Sequence, residues 1–167
     1  LQGNVEGYFS VRRKPSRGSK AWERAISCRS PQAGRRCAMA ICAGLHSMSR
    51  PGGHFRQAEV QTTQPLGALQ LVGTIDRIDA VSSTGEPTPL VIDYKTENDT
   101  VTRKRIGAGA EDTQLAFYAA LLSHDTLRAA YVNVGERGET QMHEQDEVVH
   151  LRDLLVEGIQ HDFARIA

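Results

Sequence analysis

Cysteine is scarce in this sequence: the chain has three, Cys28, Cys37 and Cys42, and none follows. An odd number without C-x-x-C spacing argues against both a disulfide framework and a cysteine zinc site. Long apolar runs are absent as well. The longest uncharged stretch of that kind, "CAMAICAGL" at 37–45, falls far short of the ~20 residues that span a bilayer. No secretory signal is visible. These absences exclude a membrane partner and point to a soluble, reducing, cytoplasmic setting. Net charge is also lacking, at +0 over 167 residues, yet the charge is not evenly spread. Residues 1–58 hold 11 Lys+Arg against two acids, a net of +9, and residues 59–167 carry the balancing −9. Such asymmetry suggests a basic arm for a polyanion or two segments of different origin.

Periodicity is the next thing missing, but only from the first third. Residues 1–53 are rich in Arg, Ser, Gly and Pro and keep no period of 2 or 3.6. They read as a flexible, poorly packed leader, or alternatively as a basic strip for nucleic-acid phosphate. Residues 54–167 form the patterned domain. Strands are predicted at about 54–66, 68–81, 89–96 and 127–136, with 68–96 as a hairpin across the turn "SSTGEPT". Helices are predicted at 112–124, capped by Asp112 or Thr113, and at 147–166. The segment "ENDTVTRKRIGAGAED" reads as a polar, basic loop. The order describes a small α/β domain with a mixed sheet. Because the chain opens at Leu1 and stops within a helical pattern, it is expected to be a piece of a longer protein.

Charges stand where the pattern calls for a buried strand. In "VIDYKT", alternation puts Val91, Asp93 and Lys95 on one face and Ile92 and Tyr94 on the other. On the preceding strand Asp76 shares a face with Thr74 and Ile78, so hairpin pairing brings Asp76 towards Asp93. Two adjacent carboxylates repel unless a cation lies between them or one takes a proton. Mg²⁺, or Mn²⁺ in its place, needs few protein oxygens and keeps several waters. Asp76, Asp93 and the carbonyl of Tyr94 would suit it, with Lys95 orienting water or neutralising developing charge. The plainer reading of Asp93 and Lys95 is a surface ion pair where a strand leaves the sheet.

The ordered set "GTIDRID", "VIDYKT" and "QLAFYA" resembles the PD-(D/E)XK nuclease superfamily, most closely the nuclease domain of RecB- and AddB-type helicase–nucleases. The likeness covers residues 54–167. It implies a restriction-endonuclease-like α/β core, with a central mixed β-sheet flanked by helices. It also implies Mg²⁺-dependent phosphodiester hydrolysis on DNA, as exonuclease or endonuclease, in double-strand break repair and recombination. The partners implied are DNA and a helicase domain or subunit outside this chain. By the same resemblance Asp76 and Asp93 are the metal ligands and Lys95 the catalytic lysine. Gln114 and Tyr118 correspond to a glutamine–tyrosine motif that touches substrate, and i, i+4 spacing puts both on one helix face.

Three departures from the family pattern stand out. Glu97 occupies a usual glycine position. The upstream histidine is represented only by His46 or His54. No cysteine follows Cys42, so no iron–sulfur cluster is expected. Glu59 falls where relatives often carry an acid and either points into the cleft or caps the strand edge. Arg103, Lys104 and Arg105 form a charge run that reads as a solvated loop or, if the cleft is a nuclease site, as residues within reach of a DNA backbone. The alternative to an active nuclease is a catalytically inactive, nuclease-like module that binds DNA or braces a partner.

Overall fold

A computed structural model describes residues 9–13, 53–82, 85–108, 112–122, 124–134 and 140–166. Six strands form one mixed sheet: β1 (Phe9–Arg13), β2 (Gly53–Leu66), β3 (Leu69–Val81), β4 (Thr88–Lys95), β5 (Arg128–Val134) and β6 (Thr140–Glu144). Three helices accompany it: α1 (Asp99–Ala108), α2 (Gln114–Leu122) and α3 (Val148–Ile166). The architecture is the α/β, restriction-endonuclease-like arrangement that the motifs imply.

β3 organises the sheet. Gly67, at φ 58, opens the tight turn from β2, a conformation glycine enters without steric cost. β2 then pairs antiparallel along one whole edge of β3, from Leu66↔Leu69 to Gly53↔Val81. The other edge is shared: β1 covers Leu69 to Gly73 and β4 covers Arg77 to Val81. β4 continues parallel to β5, from Leu90↔Arg128 to Lys95↔Asn133, and β6 closes that side antiparallel.

Alternation along the strands sorts the core onto two faces. Val91, Ala129 and Tyr131 join the helices in the larger cluster, with Ile75, Ile78, Leu115, Phe117 and Val148. Leu90, Ile92, Ala130 and Val132 form a smaller cluster on the opposite face. α2 is apolar all round, and every residue from Leu115 to Leu121 is buried, as a helix enclosed on all sides must be. α3 lays Val148, Leu155 and Ile159 against the same core and leaves its other face wet.

Three elements differ from the sequence-based expectations. The segment read as a basic loop contains α1, which begins at Asp99 after Asn98 accepts the Thr100 N–H. Only Thr102 of that helix is buried, so its apolar pattern is too thin to reveal it. β6 is a polar edge strand, TQMHE, with the same consequence. Five residues of the segment read as a leader, Phe9–Arg13, form β1 in the sheet. Residues 14–52, with all three cysteines and His46, lie outside the described residues.

Candidate active site

The β3–β4 ladder stops where the acids begin. Its last pairs are Ile78↔Val91 and Arg77↔Ile92, which leaves Asp76 and Asp93 at the next step along the same register. Here the Tyr94 N–H donates to Oδ2 of Asp76 at 3.1 Å. A side-chain carboxylate thus replaces the backbone acceptor that a continuing ladder would supply. On the far side of β3, Glu59 lies between the pairs Ala58↔Arg77 and Val60↔Ile75, hence beside Asp76. Glu59 is exposed and has φ 50, a left-handed conformation that is uncommon for a residue with a side chain.

β4 delivers Asp93 and Lys95 to the helix-side face, 0% and 6% exposed. That burial rules out the surface ion pair. Lys95 Nζ lies 2.9 Å from Oδ2 of Asp93. The contact is an ion pair, and apart from it Oδ2 is the one buried side-chain oxygen among the described residues without a hydrogen-bond partner. The ammonium donates to Oε1 of Gln114 at 2.6 Å and lies 4.8 Å from the centre of the Tyr131 ring.

Gln114 is the first residue of α2, and its amide bridges the site. While Oε1 accepts from Lys95, Nε2 donates to Oδ1 of Asp93 at 2.8 Å and to the Tyr118 hydroxyl at 3.3 Å. One turn of helix separates Gln114 from Tyr118, which is why both reach the same carboxylate. The structure therefore brings together Asp76, Asp93, Lys95, Gln114 and Tyr118. It does not bring His54, which is exposed and pairs with Ala80 well along β2.

The electrostatics follow from two acids and one ammonium in a buried place. Burial pushes the Asp93 carboxyl up to about 7, the charge of Asp76 adds to the rise, and Lys95 opposes it. Asp76 is also raised, first by burial, with the Tyr94 N–H and Lys95 opposing and Glu59 adding. The Tyr118 hydroxyl is raised by burial and by both aspartates, so it remains a neutral donor.

Sequence reasoning missed Tyr131, and it named Glu97 as a departure from glycine and Asp112 as a helix cap without joining either to the site. Tyr131 pairs with Asp93 in the β4–β5 register, so alternation would have found it once that register was known. Arg105, read as a DNA contact, is engaged internally, with Glu97 at 2.7 Å and Asp112 at 3.2 Å. Arg103 pairs with Asp99 at 3.3 Å.

Among the described residues no group of three or more His, Cys, Asp or Glu side chains could hold a metal. Asp76 and Asp93 nevertheless offer oxygen donors only, share the single Lys95 ammonium between two carboxylates, and include an oxygen whose one close partner is that ammonium. Such a pair fits a hard divalent ion that keeps most of its waters. No helix among the described residues is long and apolar enough to cross a membrane.

The family model of the PD-(D/E)XK nuclease superfamily matches residues 12–167. The chain belongs to that superfamily, whose members are generally nucleases that use divalent metals such as Mg²⁺. No curated protein and no solved structure matches the chain.

Proposed function

We propose, from this membership and the geometry, that the chain is a Mg²⁺-dependent DNA nuclease domain that hydrolyses phosphodiester bonds. The observation that carries the reading is the charge imbalance: two neighbouring carboxylates, one of them fully buried, share one ammonium. Asp76 and Asp93 would hold the ion. When bound, it supplies Lewis-acid charge at the scissile phosphate. Lys95 orients the attacking water and stabilises charge that develops on the phosphoryl oxygens. Gln114 keeps the ammonium and the Asp93 carboxylate in register, and Tyr118 lends a neutral hydroxyl at the same edge. The likeness of "GTIDRID", "VIDYKT" and "QLAFYA" to RecB- and AddB-type domains supports work on broken DNA ends beside a helicase.

The test is cleavage of linear, end-labelled DNA by the full 167-residue chain. Nucleotide release is expected with Mg²⁺ or Mn²⁺ and not with EDTA. Lys95→Ala is expected to remove it while the melting transition persists; equal cleavage by that variant overturns the assignment. Calorimetry separates the inactive-module alternative, in which Mg²⁺ uptake would not depend on Asp76 and Asp93.

A further inference from the structure

Arg105 stands in the last turn of α1 and joins two carboxylates from separate parts of the chain. Its Nε and Nη2 donate to Oε1 and Oε2 of Glu97 at 2.7 and 3.0 Å, and its Nη1 donates to Oδ2 of Asp112 at 3.2 Å. Glu97 follows Lys95 by two residues, and Asp112 precedes Gln114 by two. The other oxygen of Asp112 accepts the Tyr131 hydroxyl at 2.7 Å and the Gln114 N–H at 3.3 Å. Glu97 is anchored again through its carbonyl, which accepts from Nδ2 of Asn133 at 2.6 Å.

We propose that Arg105 is a positioning residue, a clamp that fixes the start of α2 against the end of β4. It thereby holds the Gln114 amide between Asp93 and Lys95. Only its kinetic consequence rests on the nuclease reading. Gln114 must accept from Lys95 and donate to Asp93 with one planar amide, and such a site tolerates displacements of only ~0.5 Å. The first residue of a helix has no intrahelical bond through its own N–H, so its position depends on Asp112. Arginine suits the task because its planar fork serves one carboxylate with two parallel bonds and still reaches a second. A lysine offers a point charge without that geometry. Glu97 supplies the anchor for the clamp.

The rival reading makes Arg105 a contact to the DNA backbone, and the two predict different readouts. In the full chain, Arg105→Gln and Arg105→Lys are each expected to lower kcat by ~10–100-fold, the usual effect of losing support behind a metal-site residue. DNA affinity and its salt slope should stay as in wild type. Hydrogen exchange of the Gln114 side-chain amide, read by NMR, should accelerate in both variants. Arg105→Gln combined with Glu97→Gln removes one stranded charge, so it should recover melting temperature without recovering kcat. Full rescue by lysine overturns the proposal. So does a loss confined to DNA affinity with a shallower salt slope, or a fall in melting temperature with kcat and amide exchange unchanged. If the wild-type chain cleaves no DNA, the nuclease reading fails by itself, and amide exchange alone decides the clamp.

Discussion

Two ion pairs of identical spacing lie back to back in this sheet, and only one of them has a second carboxylate beside it. Arg77 and Asp79 stand two apart on β3, 4% and 6% exposed; Asp93 and Lys95 stand two apart on β4, 0% and 6% exposed. The first pair faces away from α2. Its guanidinium meets both carboxylate oxygens, at 2.7 and 2.8 Å, touches the Tyr94 hydroxyl at 3.4 Å and lies over the Phe55 ring. One positive charge meets one negative charge with fork geometry, and every charged atom has a partner. The second pair has a third member, Asp76, so two carboxylates share the one ammonium of Lys95. A buried pair two residues apart is therefore no distinguishing mark by itself; in the proposed site the distinguishing feature is the surplus carboxylate beside it. Arg77–Asp79 shows what the same fold builds when the charges are meant to cancel.

Mirrored substitution tests that contrast most severely. Replacing a buried pair by apolar residues of similar size is often neutral or stabilising by ~1–4 kcal/mol. Arg77→Met with Asp79→Leu should leave melting near wild type and cleavage intact. Asp93→Leu with Lys95→Met should also keep the fold, yet cleavage should drop by at least ~10³-fold, as when a main source of transition-state charge stabilisation is removed. Rates and denaturation curves of the two double variants check this. Similar activity in both would erase the distinction between the faces.

Breaking one pair instead of replacing it should reverse the ranking for stability. Arg77→Met alone strands the Asp79 carboxylate in a buried position, at a cost of ~3–5 kcal/mol. That is a large share of the ~5–15 kcal/mol that holds a domain together. Urea denaturation of Arg77→Met against the double variant reads the difference. A single variant as stable as the double would mean that water already reaches Asp79.

The grouping of the candidate residues was legible in the sequence because they lie on the most regular text. Period-2 alternation in "VIDYKT" and the hairpin before it were enough to put Asp76, Asp93 and Lys95 near one another. An i, i+4 spacing did the same for Gln114 and Tyr118. The balancing side was not legible. Arg77 and Asp79 belong to the same "DRID" string as Asp76, and only the three-dimensional partner of each aspartate separates a neutral pair from a charged site. α1 escaped notice because polar contacts beyond its own turns hold it: Arg105 to Glu97 and Asp112 on either side of the helix, Thr102 to Asn133, and Asp99 to His143 at 2.6 Å. None of these leaves a local period for a sequence to show.

A gentler probe sharpens the comparison at the amide that only one face possesses. Gln114→Ala removes the acceptor for Lys95 and the donor for Asp93 together. Side chains that orient a metal ligand are typically worth ~10–100-fold in activity or metal affinity. Cleavage kinetics and Mg²⁺ calorimetry should both fall in that range, while Kd for DNA measured without metal stays constant. Unchanged kinetics would show that Lys95 keeps its place through Asp93 and the Tyr131 ring alone.

The smallest effect is also the most specific to the unbalanced face. With its carboxyl pushed up to about 7 by burial and by Asp76, Asp93 holds a proton in the folded chain where the unfolded chain, near 3.9, has lost it. A raised acid makes the native state the better proton binder, so its contribution to stability declines as pH rises from about 4 to about 7. Between pH 6 and 7 the decline is ~1 kcal/mol, from the tenfold change in proton activity at 1.36 kcal/mol per pH unit. Asp93→Asn cannot ionise, so wild type should lose stability relative to this variant across that interval in EDTA. On the proposed role of Asp93 as a metal ligand, Mg²⁺ should favour the ionised carboxylate and flatten the wild-type profile while leaving Asp93→Asn unaffected. Parallel pH profiles for the two proteins would mean that Lys95 neutralises Asp93 fully and that the surplus charge resides on Asp76.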